Sequence, residues 1–222
     1  EFLPEASLYF LNALAKGSFK ISRDMPLRVL DYGCGDSTLL QGLQFIMRPV
    51  FKSICSGEYK ATNFHANFFN AHTAYRMMKQ TSDLDKLATA DFTDMNHLIQ
   101  VSRFDPAIPE YAKMPKGPFD MVLCTDVMEH IPVEATDRSG HQPLANTIAY
   151  LNTLSDNVFL NVSCRQAINP MPDGSTAHCT VKPALWWKNY LTSRMDHLHP
   201  VLSRDLTSAL FVKSRKGILP EA

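Results

Sequence analysis

Four runs of β-favouring residues punctuate the chain, each ending where polar or turn-forming residues begin. Leu27 to Leu30 is apolar at three of its four positions and leads into Asp31-Tyr32-Gly33-Cys34-Gly35-Asp36. Phe119 to Thr125 and Asn157 to Ser163 are nearly unbroken, the pattern of parallel strands covered on both faces. Ser208 to Lys213 reads as a last strand before a polar tail. Helical periodicity fills the intervals. Leu8, Leu11 and Leu14 follow Pro4 and stop at Lys16-Gly17, a first-turn proline and a terminal glycine around one amphipathic helix. Pro143 opens a second stretch with Leu144, Ile148, Leu151 and Leu154 on one stripe, and Ala184 to Met195 gives a third. Strands alternating with helices predict an α/β domain, a doubly wound, mostly parallel sheet with helices on both faces.

Composition narrows the class. The 222 residues carry 45% apolar and 20% charged side chains, which suits one domain over residues 1–222 with a helical insertion at about 45–97. Lys plus Arg equals Asp plus Glu at 22 each, so the net charge is zero and the broad positive field of a non-specific nucleic-acid or anionic-membrane binder is missing. No apolar run reaches the ~20 residues of a membrane span, and the acidic start is unlike a secretory leader. The five cysteines are odd in number and contain no C-x-x-C pair, which argues against a disulfide framework or structural zinc. The expectation is a protein of the reducing cytoplasm with no membrane partner.

Chemistry concentrates at two places. The first is the turn after the Leu27 strand, where Gly33 and Gly35 let the main chain approach a ligand closely and Asp31 stands at the strand's carboxyl end. The second is Phe119-Asp-Met-Val-Leu-Cys-Thr-Asp-Val-Met-Glu-His-Ile-Pro132. Taken together, Val29 to Gly35 and Phe119 to Pro132 resemble the first and fourth motifs of class I S-adenosylmethionine-dependent methyltransferases, in a compact, phage-like form. The resemblance spans roughly residues 1–44 and 100–213, with Ser37 where many members have a third glycine. It implies a Rossmann-like methyltransferase fold and S-adenosyl-L-methionine as cofactor. The glycine loop, Asp31, Tyr32, Gly33, Cys34 and Gly35, would cradle its methionine end, and Cys124, Thr125 and Asp126 would line the methyl end.

The family's ribose-binding acid has two candidate positions. In the preferred reading, Leu98 to Pro109 holds the second strand, Asp105 accepts from the ribose hydroxyls, and residues from about 45 to 97 are inserted. In the other, the second strand runs from Phe51 to Tyr59 with Glu58 as ligand, and Asp91 ends a third strand near the adenine. The insertion carries Phe64, Phe68, His72 and Tyr75 at helical spacing. Such a stripe reads first as glue to the domain and second as a base-stacking or lid surface.

Methyl transfer is a displacement accelerated by alignment, with a general base where the acceptor must lose a proton. Asp126, Glu129 and His130, at spacings of three and four, are the catalytic candidates and would share one face of a helical turn. Glu129 and His130 with the later His178 also resemble the metal-binding set of small-RNA 3′-terminal 2′-O-methyltransferases. That resemblance implies a divalent ion binding ribose hydroxyls, of the manganese, iron, cobalt or zinc type. The plainer reading of the cluster is hydrogen-bonded scaffolding without metal. His141, His197 and His199 carry no signal, and Lys182 and Arg165 read as solvated cations, with an anionic substrate the alternative. Of Trp186 and Trp187, set about 100° apart on a helix, one would pack on the sheet and the other would face a cleft or solvent. The acceptor, small molecule or nucleic acid, is left open, as is a non-catalytic module that keeps the fold to bind cofactor or a partner.

Overall fold

The computed structural model describes residues 26–37, Gly42, Gln44, Arg48, 99–134, 142–168, Met171, 173–201 and 207–214. The N-terminal helix, the Phe51–Tyr59 strand with Glu58, the aromatic stripe and His141 lie outside the described residues. By contacts the chain divides into two compact units, one of Glu1–Val29 with Gly35–Ser102, the other of Leu30–Cys34 with Arg103–Ala222. In the first, the described residues include the opening halves of two strands, with Leu27, Val29 and Ile99 buried. The second holds the clustered core and, Gly35 apart, the site residues described below.

The strands are β1 (Leu27–Tyr32), β2 (Ile99–Phe104), β3 (Met121–Thr125), β4 (Asn157–Ser163), β5 (Leu198–Val201) and β6 (Ser208–Ser214). They form one six-stranded sheet in the order β2-β1-β3-β4-β6-β5. β3 and β4 pair in parallel, with Thr125 opposite Asn161, and β6 runs antiparallel to both β4 and β5. The fold is therefore α/β with a mixed sheet. Strand order turns back at β1, whose neighbours are β2 on one side and β3 on the other. Beyond the carboxyl ends of strands at such a reversal, open α/β sheets leave a crevice for ligands.

Burial follows the residue pattern. All seven positions of β4 and all seven of β6 are buried, as expected of interior strands covered on both faces. Helix α1 (Pro143–Leu154) starts on the proline and buries Leu144, Ile148, Leu151 and Leu154, the stripe expected from the sequence. Helix α2 (Ala184–Thr192) buries Trp187 and Leu191, while Trp186 stays half-buried with its ring edge-on to Trp187 at 5.1 Å. The helix stops short of the expected Met195. The Thr192 hydroxyl bonds back to the Lys188 carbonyl and the Ser193 hydroxyl to that of Tyr190, and His197 then turns through a positive φ of 56°. β5 follows at once. The sequence hid this strand because four residues containing a proline do not read as one, yet at a sheet edge Pro200 forfeits no interior hydrogen bond.

Lys213 is 2% exposed on β6, and its Nζ donates to the carbonyls of Asn152 and Ser155 at 2.9 and 2.8 Å. These are carbonyls at the end of α1, where intrahelical donors have run out and positive charge is favoured. Lys213→Met keeps the apolar stem and removes both donors. It should lower unfolding free energy by about 2 kcal/mol, read from the urea midpoint.

Candidate functional site

Asp31 is the penultimate residue of β1, and the alternation of the strand sends its side chain to the face opposite Leu30 and Tyr32. Asp31 is 2% exposed, and its Oδ2 is buried with no hydrogen-bond partner. Burial pushes its carboxyl up to about 7, Asp105 adds to the rise, and the Arg103 guanidinium offsets part of it. Tyr32 goes the other way. Its hydroxyl reaches Thr147 on α1, its ring lies 5.1 Å from Phe104, and burial raises it to about 12. The Tyr32 side chain thus serves the core instead of lining the loop as expected.

The glycine loop departs from expectation too. Gly33 and Cys34 both donate their N–H groups to the Phe104 carbonyl, at 2.7 and 3.1 Å, so these two amides join the loop to β2 instead of standing open to a ligand. Gly33 has φ 74°, and a Cβ there would collide with the methyls of Val127, just beyond β3. Gly35 has φ 49° with open space around its Cβ direction. Cys34 and Cys124 are buried thiols whose pKa desolvation raises, which favours the protonated form.

β2 is found where the preferred reading put it, and Asp105 follows directly. Its Oδ1 accepts from the Ala107 N–H at 2.9 Å, an Asx turn that uses one of the two carboxylate oxygens. Arg103 reaches the Tyr111 hydroxyl at 2.8 Å.

After β3 the expected single helical face breaks up. Asp126 sits at φ 55°, an uncommon left-handed conformation for a residue with a Cβ, and only Met128–His130 forms a turn, of 3-10 type. Asp126 therefore stands outside the turn that holds Glu129 and His130. Asn161 of β4 clamps it: the Asn161 Nδ2 donates to Asp126 Oδ1 at 2.7 Å, and the Asp126 N–H donates to the Asn161 carbonyl at 3.0 Å. Asn161 is fully buried, and its Oδ1 has no partner. Sequence reasoning passed over it, although a polar side chain inside the buried run Val158 to Val162 was the available signal.

Glu129 is also fully buried. Its Oε1 accepts from the Ser163 N–H at 3.0 Å, its Oε2 has no partner, and burial pushes it up to about 7 with help from Asp126. His130 and His178 meet edge-on with centroids 4.8 Å apart, and the ligand atoms of Glu129, His130 and His178 lie within 4.8 Å of one another. Each Nδ1 faces a main-chain carbonyl, His130 that of Ala177 at 2.9 Å and His178 that of Arg165 at 2.7 Å. A carbonyl only accepts, so each Nδ1 carries a proton, and in the neutral tautomer this selects the lone pair falls on Nε2. Burial and the neighbouring His178 lower the His130 pKa and favour its neutral form.

No family model and no curated protein matches the sequence. Among solved structures, the DszA carbon methyltransferase matches at 12% identity and a TM-score of 0.49, covering 97% of this chain and 53% of that one. The chain thus spans about half the length of that structure. No helix among the described residues is long and apolar enough to cross a membrane.

Two stability measurements test this geometry. Gly33→Ala should cost about 3 kcal/mol, from the left-handed backbone and the Val127 collision combined, against about 1 kcal/mol for Gly35→Ala, where only the backbone objects. Asp31 and Glu129 have folded pKa values above their unfolded ones, so the native state holds extra protons between about pH 4 and 7. Stability of the ligand-free protein should fall as pH rises through that window and level off above it. Asp31→Asn should flatten the slope of the melting temperature against pH.

Proposed function

We propose that the protein is a methyltransferase that uses S-adenosyl-L-methionine. The observation that carries this reading is a set of three buried acceptors, Asp31 Oδ2, Glu129 Oε2 and Asn161 Oδ1, none of which has a donor. They belong to the ends of β1, the β3 exit and β4, which are neighbours in the sheet. Orphaned buried acceptors are costly, and two of them are carboxyls; a ligand bearing positive charge and N–H donors relieves that cost. S-adenosylmethionine carries both, a sulfonium and an ammonium. The reversal of strand order at β1 supports a doubly wound, Rossmann-like arrangement, and the two motifs read from the sequence lie on either side of it.

In this reading Asp31 receives the ammonium, Gly33 permits the close approach of β1 and the β3 exit, and Asp105 offers an oxygen to the ribose. Thr125 and Asp126 stand at the reacting end, with Asn161 holding Asp126 in its strained conformation. When bound, the cofactor supplies an electrophilic methyl group on sulfur. The chain's own contribution is alignment, together with Glu129, whose raised pKa suits it to take the acceptor's proton near neutral pH.

Titration calorimetry with S-adenosylmethionine and its demethylated product is the test. Both should bind, and Asp31→Asn should weaken binding by about tenfold or more, the scale of one charge-assisted contact. A cationic ligand favours the ionised Asp31, so affinity should rise as pH increases through about 7 and binding should release a proton, visible as a buffer-dependent enthalpy. Absence of binding to either compound removes the proposal.

A second reading, metal-assisted methylation of an RNA ribose hydroxyl, is favoured by the Glu129, His130 and His178 cluster. The residues fit an ion: Glu129 Oε2 is an orphan, and both imidazoles are oriented through Nδ1 by carbonyls, as ligating histidines usually are. Glu129 Oε2 and the two Nε2 atoms would hold it, and a nitrogen-rich set suits manganese, iron, cobalt or zinc better than magnesium. The ion would supply Lewis acidity toward a hydroxyl. Manganese at about a hundred times its Kd should then stabilise chelator-treated protein by ~2.7 kcal/mol, and the effect should vanish in His178→Ala. An unchanged melting temperature with all four metals would remove this reading.

A further inference from the structure

A cavity of about 540 Å³ opens beside the carboxyl end of β4, lined by Cys164, Val181, Lys182, Pro183, Ala184 and Leu185. Its volume is that of a small-molecule site. Among the described residues, four of the six that line it are aliphatic, the fifth is a thiol and the last a lysine, with no carboxylate. Leu185 is 67% exposed at its wall, a large apolar surface offered to solvent. The Lys182 ammonium lies 5.7 Å from the Trp186 ring centroid.

The walls are tied to Glu129. Cys164 directly follows Ser163, whose N–H donates to Glu129 Oε1. Val181 directly follows Thr180, whose N–H donates to the Glu129 carbonyl at 2.9 Å and whose hydroxyl donates to the Ile131 carbonyl at 2.8 Å. Glu129 thus stands at the join of both walls, with its second carboxyl oxygen unpartnered. Across the sheet, Asp31 follows from β1, Glu129 from the β3 exit and the cavity from β4, in the order of adjacent strands.

We propose that this cavity is the methyl-acceptor site, and that the acceptor is a small, mainly apolar molecule bearing one anionic group. The inference rests on the methyltransferase reading. Aliphatic walls take the body of the molecule, the Lys182 ammonium takes the anion at the rim, and the face toward Glu129 receives the nucleophile. A polyanionic chain has little to hold it here, since among the described residues Lys182 is the sole cation in the lining.

Cys164 reports occupancy directly. The full chain, saturated with S-adenosylhomocysteine, is treated with N-ethylmaleimide and the labelled peptides are quantified by mass spectrometry. The probes are 4-hydroxyphenylacetate, caffeate, decanoate and phenyl phosphate, with 4-hydroxyphenylacetamide as the neutral control and a uridine decanucleotide as the polymer. At least one small anion should slow Cys164 labelling by about tenfold relative to the neutral control, the discrimination expected of one charge-assisted contact. Lys182→Ala should erase the difference between anion and control. Leu185→Asp, a change at an exposed position that leaves the core intact, should abolish protection. Protection by the decanucleotide alone, or by no probe, overturns the inference while cofactor calorimetry leaves the methyltransferase reading standing. Failure of S-adenosylhomocysteine to bind removes that reading, and the acceptor assignment falls with it.

Discussion

Desolvation of carboxyl groups at the strand ends governs the site. Asp31 and Glu129 have been taken out of water without being given enough donors, and both are pushed up to about 7 as a result. The same sheet shows what a buried charge looks like when the scaffold does complete it. Lys213 is as deeply buried as Asp31, yet its ammonium meets two carbonyls at ordinary distances. One charge closes a helix and needs nothing more. The other two each keep a carboxyl oxygen without a donor, as Asn152 Oδ1 and Trp187 Nε1 also lack partners elsewhere. Among the described residues, only at the strand ends are the incomplete groups carboxyls, and there they read as a place prepared for something cationic.

Geometry around those groups is set by close main-chain approaches. The Phe104 carbonyl gathers two consecutive amides of the β1 turn, and Val127 presses against Gly33 from the other side. Turn, β2 exit and β3 exit are thereby drawn into one small region. Asn161 adds the fourth element by gripping Asp126 through both main chain and side chain. The strain at Asp126 is sustained by these bonds, and strain held in this way belongs to sites more often than to scaffolds.

Much of this was legible in the residue pattern, for physical reasons. The bounds of β4 and the start and buried stripe of α1 were read because one is a nearly unbroken β-favouring run and the other a proline-opened stripe with period 3.6, signals that tertiary contacts reinforce. The strand before Asp105 was placed by resemblance, Arg103-Phe104-Asp105-Pro106 ahead of Phe119-Asp120 being similar to a compact methyltransferase subset, and β2 is found there. The joining of Glu129 and His130 with His178, 48 positions beyond His130, followed from resemblance and is matched by the fold. What stayed hidden depends on backbone geometry. A 3.6-residue period suggested that Asp126, Glu129 and His130 share a helical face; Asp126 instead takes a left-handed conformation ahead of the 3-10 turn at Met128–His130, while its charge still acts on both Glu129 and His130. Exposed glycine-loop amides were expected, and only the folded chain brings the Phe104 carbonyl across to occupy them. Asn161 was passed over, because its role depends on a partner, Asp126, that only the fold brings to it.

Pro200 has a consequence beyond the fold. It sits on β5, the outermost strand on its side of the sheet among the described residues, where a regular ribbon would present a row of free amides to the surroundings. A foreign segment laying itself alongside would find one rung of the ladder missing within a strand of only four residues. That margin is thus poorly suited to templated growth between molecules, a safeguard against fibrillar association built from a single imino acid.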